Sequence, residues 1–298
     1  MVQLNKILEK IEYHSFVGNR GIAIDCILPL DKINNVSGAL SWCGDKNAEL
    51  LGSIKTDSIV IVSKNNGYTS GLENYLVVEN PRRTFQEILT LFFSKHREPA
   101  ISKRAFLEDN VKIGKNVFIG HNVVIEENCE IGNDTIIMHN TTILSDTIIG
   151  SKVSIGCNNT IGGVGFGYEK NTKGNFELIP HIGNVVIKDN VDIGNNTCID
   201  RAVLGSTILE DNVKIDNLVH IAHGVIVGRN SVVIANAMVA GSVKIGENSW
   251  IAPSSSILNK KEVGNNALVG MGAVVTKSVD DYAIVAGNPS RFIRTIEK

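Results

Sequence analysis

Residues 203–275 read VLGSTILEDNVKIDNLVHIAHGVIVGRNSVVIANAMVAGSVKIGENSWIAPSSSILNKKEVGNNALVGMGAVV. Every sixth residue of this stretch is aliphatic: Val203, Leu209, Ile215, Ile221, Val227, Val233, Val239, Ile245, Ile251, Ile257, Val263, Val269 and Val275. An earlier run goes from Leu107 through Ile113, Ile119, Ile125, Ile131, Ile137, Ile143, Ile149 and Ile155 to Ile161. A period of six is neither the roughly 3.6 of a helix nor the roughly 2 of a strand, so the chain is a repeat architecture. Two residues before many of these aliphatics stands a small or β-branched residue, as at Val111, Val117, Thr135, Val213 and Val219, and Gly or Asn often follows. Each hexad then reads as a short strand with two inward side chains, followed by a tight turn where Gly or Asn takes positive φ. Three hexads close a triangular coil, and coils stack as parallel strands. The pattern predicts a mainly β chain, a parallel β-helix of hexapeptide repeats.

The 298 residues suffice for one long repeat domain and a small companion. The six-residue rule fails before about residue 100. There Leu4, Ile7, Leu8 and Ile11 are spaced for one helix face, and the runs 21–27, 58–62 and 75–78 read as strands. Pro81 opens a second helix, with Phe85, Ile88, Leu89 and Phe92 on one side. The expected division is a small α/β domain over 1–100, the β-helix over 101–280 and a tail over 281–298. Net charge is −2 with no basic stripe, which argues against a nucleic-acid partner. The N-terminal MVQLNKILEKIEYHSF carries acidic residues and is no signal peptide, and no segment approaches the roughly 20 apolar residues of a membrane span. A soluble, cytoplasmic protein is expected. The five cysteines, without CxxC spacing, read as free thiols.

Between Ile161 and Ile187 the repeat is interrupted by GGVGFGYEKNTKGNFELIPHIG, an excursion from the stack of the kind that carries function in repeat proteins. The register slips by two residues there, and a compensating slip is expected at IDRAVL, between Ile199 and Val203. Asp216, Asn217, His220 and His223 then cluster. Val219 and Ile221 point inward, so His220 projects outward and His223 approaches the following corner. Gly241 lies eighteen residues past His223, one coil on. An imidazole beside a glycine N–H suits acyl transfer, with the imidazole as base and the N–H facing the developing oxyanion. Asp216 is a candidate to orient the ring.

The pieces GFGY, IPHIG, VVI, IDR, KIDN and IAH, within residues 162–228, closely resemble the hexapeptide-repeat acyltransferases. The similarity is greatest to the UDP-3-O-(3-hydroxyacyl)glucosamine N-acyltransferase family of lipid A synthesis. The resemblance implies a left-handed parallel β-helix, a homotrimer with sites between subunits, His223 as general base and Gly241 as the glycine facing the thioester carbonyl. It also implies acceptor contacts from Trp42, Asp45, Phe166, Tyr168, His181 and His220. Three departures stand out. Trp42 takes the place of one uracil-stacking aromatic, but Ala48 stands at the other. Asn259-Lys260 replaces a Gly-His pair. The tail VAGNPSRFIRTIEK resembles those of coenzyme A-dependent sugar acetyltransferases, which place a glutamate where this chain has Ala222.

The expected activity is N-acyl transfer from a thioester to the amino group of a nucleotide-linked amino sugar, with no cofactor beyond the donor. Acyl-coenzyme A is the expected donor, gripped by Lys260, Lys277, Arg291 and Arg294, and acyl carrier protein is the alternative, as in the lipid A enzyme. Met238, Trp250 and Ser256 are candidates to limit acyl length. A zinc hydratase using His220, His223 and either His139 or His181 is a remote rival, because no third histidine shares their coil convincingly. A bare structural β-helix would need neither the GFGY loop nor the N-terminal domain.

Overall fold

The computed structural model describes residues 1–65, 72–94 and 97–296. The chain divides into two compact units, residues 1–96 and 97–298.

The first unit is built on a five-stranded sheet in the order Ser15–Val17, Asn74–Val78, Ile59–Ser63, Ala39–Trp42, Cys26–Ile27. Only the first pair is antiparallel. The central strand is buried on both faces, as its unbroken IVIVS run requires. Helices Leu4–Leu8 and Pro81–Ile88 contribute Leu4, Ile7, Leu8 and Ile88 to one core, while Ile33, Leu51 and Ile54 form a second. Asn80 caps the latter helix, its Oδ1 accepting from Arg83 N at 3.1 Å with Pro81 in the first turn. The strand Ala39–Trp42 was not anticipated, because its first three residues are all buried and leave no alternation to read.

In the second unit the hexads wind into three parallel faces. The first face begins with Ala100–Ile101, the second with Phe106–Leu107 and the third with Lys112–Ile113. Ile119 pairs with Ile137 and Ile125 with Ile143, each eighteen residues on. The aliphatics from Ile119 onward stack as one continuous buried column, each contributing roughly 1.5–3 kcal/mol by leaving water. Inward hydroxyls are satisfied by the adjacent coil, as where Thr135 donates to Gly150 O at 2.9 Å and Ser249 to Gly264 O at 2.7 Å.

The turn chemistry divides between two residue types. Asn116, Asn122, Asn128, Asp134 and Asn140, each three past an inward aliphatic, hold the positive φ of 56–59°. Their side chains form ladders between coils, for example Asn110 to Asn128 at 2.7 Å and Asn128 to Asp146 at 3.1 Å. Within the regular coils the glycines directly after the aliphatics, such as Gly114, Gly132, Gly150 and Gly246, do not take positive φ, contrary to the sequence reading. Gly162, where the loop leaves the coil, does. The coil glycines are small because coils approach closely: a Cβ on Gly132 would stand 2.4 Å from the Gly150 carbonyl carbon.

The two breaks also differ from expectation. Ile149 pairs with Ile187, 38 residues on, so the whole loop is extruded from one coil. Ile187 then pairs with Leu209, 22 residues on, so four further residues are extruded from the next. Together they restore the six-residue count, as expected, but pairing already resumes locally after each, so neither is needed to repair the other. Val203 belongs to the second extrusion and to no inward column. Both breaks fall at the corner between the second and third faces, and they bond to each other: Ile182 N donates to Val203 O at 3.0 Å and Asn184 N to Gly205 O at 3.0 Å. At the far end, Ala283–Ala286 continues the first face and Arg291–Thr295 returns antiparallel along it.

Candidate functional site

His223 lies two residues past the inward Ile221, at the same corner, one coil beyond the four-residue extrusion. Gly241 is its counterpart in the next coil, following the Ile221–Val239 pair. The imidazole lies flat over that glycine: a Cβ on Gly241 would stand 2.6 Å from both Cε1 and Nε2 of His223. On the opposite side the loop closes over it, and a Cβ on Gly165 would be 3.0 Å from His223 Cδ2 and from His181 Nε2. At Gly241 any side chain would push the ring aside, and at Gly165 it would crowd both imidazoles. A pocket of about 360 Å³ opens here, lined by Phe166, Asp200, His220, His223, Gly241 and Lys260 among others. Burial pushes the His223 imidazolium below its ordinary range, and the nearby His181 and His220 push the same way.

At several other corners the N–H two past an inward aliphatic is taken by a side chain of the next coil, as in Lys115 N to Asn133 Oδ1, Cys157 N to Asn195 Oδ1 and Glu247 N to Asn265 Oδ1. The N–H groups of His223 and Gly241 have no such partner among the described residues. Two free donors therefore stand beside a neutral imidazole.

His181 brings a third imidazole. Its Nδ1 is 2.7 Å from Ile179 O, which fixes the proton on that nitrogen and leaves a lone pair on Nε2. The ring is buried, Nε2 has no partner among the described residues, and it meets His223 edge to face with centroids 5.3 Å apart. Asp200 and Arg201, which the sequence reading places at a slip and in the IDR piece of the resemblance without a role in the site, belong to it. Asp200 Oδ2 lies 3.6 Å from His220 Nε2. Arg201 locks the root of the loop, donating through Nε to Gly162 O and through one terminal nitrogen to Ser145 O, both at 2.7 Å.

The description "Bacterial transferase hexapeptide (six repeats)" matches residues 206–241, and "GMPPB C-terminal domain" matches residues 96–172. This is a hexapeptide-repeat chain. It is similar to the UDP-3-O-acylglucosamine N-acyltransferase of Cytophaga hutchinsonii, 55% identical over 28% of this chain and 24% of that protein. It is likewise similar to that of Methylacidiphilum infernorum, 52% identical over 46% of this chain and 39% of that protein. The chain thus spans well under half the length of these curated relatives. Among solved structures, a UDP-N-acetylglucosamine acyltransferase from Campylobacter jejuni superposes with a TM-score of 0.61 at 24% identity, over 66% of this chain and 75% of that one. The corresponding enzyme of Francisella novicida gives a TM-score of 0.61 at 25% identity, over 66% and 70%. The fold is a left-handed β-helix.

Several expected site residues of the hexapeptide-repeat chain gather and others do not. Phe166, His220, Lys260 and Met238 line the pocket with His223 and Gly241. Tyr168 packs on Phe166 with centroids 4.9 Å apart, outside the lining. Asp216 makes no hydrogen bond to His223. Its oxygens accept from Asn217 N at 2.7 Å and Ala235 N at 3.2 Å, so it holds its own turn. Arg291 and Arg294 lie on the returning strand of the first face, Lys277 follows Val275 on the second, and none of the three joins Lys260 in the lining. Trp42 and Asp45 line a separate pocket of about 320 Å³ within the first unit, with Ser63, Lys64 and Arg82. Trp42 also packs against Phe85, centroids 6.3 Å apart, and Asp45 accepts from the Ser63 hydroxyl. His139 stacks on His121 instead, and among the described residues no three His, Cys, Asp or Glu are placed to hold a metal ion. No helix described is long and apolar enough to cross a membrane.

Proposed function

We propose that this chain transfers an acyl group from a thioester to the amino group of a UDP-linked amino sugar, the acceptor being a UDP-3-O-acylglucosamine. The relatives' names support that acceptor. The observation that carries the chemistry is the neutral His223 imidazole stacked on Gly241 beside two unpaired N–H groups. His223 takes a proton from the attacking nitrogen, and the N–H of Gly241 donates to the carbonyl oxygen as it becomes an oxyanion. Glycine leaves room for the acyl carbon. Trp42 stacks on the base of the nucleotide from the first unit's pocket.

Acyl carrier protein is the donor this reading favours. The coenzyme A expectation required four cations around one phosphate group, and only Lys260 lines the pocket. The working form is a homotrimer with sites between subunits, a reading supported by the exposed Phe166, Ile182 and Leu204 along the site corner. The test is to incubate the protein with UDP-3-O-acylglucosamine and the same acyl group on carrier protein or on coenzyme A, and to identify products by mass spectrometry. A base-stable amide formed faster from carrier protein is expected. No transfer, or an ester product, overturns the acceptor chemistry, and a preference for coenzyme A overturns the donor.

A further inference from the structure

An amine acceptor has a proton problem that a hydroxyl lacks. It arrives at neutral pH largely as an ammonium and leaves as an amide N–H, so its nitrogen must shed two protons. His223 accounts for one. The pocket holds a second imidazole, His220, whose Nε2 is 3.6 Å from a carboxylate oxygen of Asp200. His223 has no carboxylate partner among the described residues. Asp200 is the sole carboxylate in the lining and its side chain is only 13% exposed, whereas His220 is 43% exposed and open to water.

Resting on the N-acyl transfer reading, we propose that His220, backed by Asp200, takes the first proton from the acceptor ammonium and passes it to solvent. His223 then takes the second during attack. In balance, R–NH3+ gives one proton to His220 and becomes R–NH2. Its nitrogen bonds the thioester carbon, the second proton passes to His223, the C–S bond breaks, and His223 returns that proton to the departing thiolate. His220 is catalytic in this scheme and Asp200 is a positioning residue that stabilises the imidazolium.

The surroundings fit the division of labour. The titratable groups around His220 and Asp200 are His223, His181, which acts on Asp200 and His223, and Cys198, the strand partner of His220 one coil back, with Lys260 the one lysine in the pocket. Burial and Asp200 push the Cys198 thiol up, so at neutral pH it adds no charge. Burial likewise raises the Asp200 carboxyl, and the two imidazoles pull it back, which is the state of an anion that gains from a cation beside it. Ala222, which follows the inward Ile221, lines the same pocket as Asp200 and brings no charge to it.

The experiment compares kcat/KM for His220→Gln and Asp200→Asn with the parent on both sides of the acceptor amine's own pKa. Below it, where the acceptor is an ammonium, each variant loses about 100-fold, within the usual range for one acid–base group. Above it, where free amine enters, the loss shrinks at least tenfold. His223→Ala is expected to lose activity alike on both sides. A deficit of Asp200→Asn or His220→Gln that is flat with pH, or no deficit at all, in a variant whose circular dichroism matches the parent overturns the inference. If the parent itself forms no amide, the N-acyl transfer reading fails instead.

Discussion

His181 stands edge-on to His223, with ring planes at 83° and its own proton committed to Ile179 O. Burial, and then the nearby His181 and His220, keep His223 a neutral base to lower pH than an ordinary histidine. The acid limb of kcat/KM that belongs to His223 is expected below its ordinary value of 6.5. The sign follows from the protonation: a lowered pKa keeps the base form until the pH falls further. An NMR titration of His223 with a midpoint at or above 6.5 contradicts this.

His223→Ala should reduce kcat/KM by about two or more orders of magnitude, as loss of a general base does. The inward column beneath it is untouched, so the melting temperature should barely move. A mildly impaired His223→Ala enzyme would transfer the role to another group.

Gly241→Ala tests the stacking itself. Gly241 has no positive φ, so alanine brings no backbone strain, yet its methyl needs space 2.6 Å from the His223 ring. The imidazole must move by about an ångström, which costs about 100-fold when reacting groups are misplaced. Activity close to that of the parent, with the ring displaced in a crystal structure, would mean that ring position is not critical.

Trp42→Ala should raise the acceptor KM and leave the donor KM alone, because the indole borders the first unit's pocket. Its packing on Phe85 also predicts a lower melting temperature. A destabilised variant with unchanged acceptor KM would reduce Trp42 to a packing residue.

Arg201→Met removes the donors that hold Gly162 O and Ser145 O. Bonds from a charged group are worth roughly 1.5–3 kcal/mol each, so the loop root should loosen while the coil stays intact. Faster hydrogen exchange confined to residues 162–183 is the expected signature. Uniform acceleration across the β-helix would instead make Arg201 a global support.

Much of this was legible in the sequence because a six-residue period admits one architecture. The inward column from Ile119 to Ile161 and from Leu209 to Val275 could be counted directly. What stayed hidden had no periodic signal. Gly132 and Asn128 look interchangeable as turn residues, yet one serves close approach and the other positive φ. Asp200 sits beside a register change, so its outward direction could not be read by counting. Asp216 looked like a partner for His223 because it is near in sequence, but its oxygens face its own turn. Spacing along the chain predicts stacking between coils well and side-chain direction at corners poorly.

The two extrusions carry a consequence for how such a protein changes over time. Each leaves the coil and rejoins it without disturbing the pairing that follows, since Ile221 meets Val239 eighteen residues on as if nothing had been inserted. The scaffold is therefore indifferent to what is grafted at that corner. A lineage can lengthen, shorten or replace the wall over the imidazole while every strand above and below keeps its partner, so selectivity is free to drift on a frame that does not.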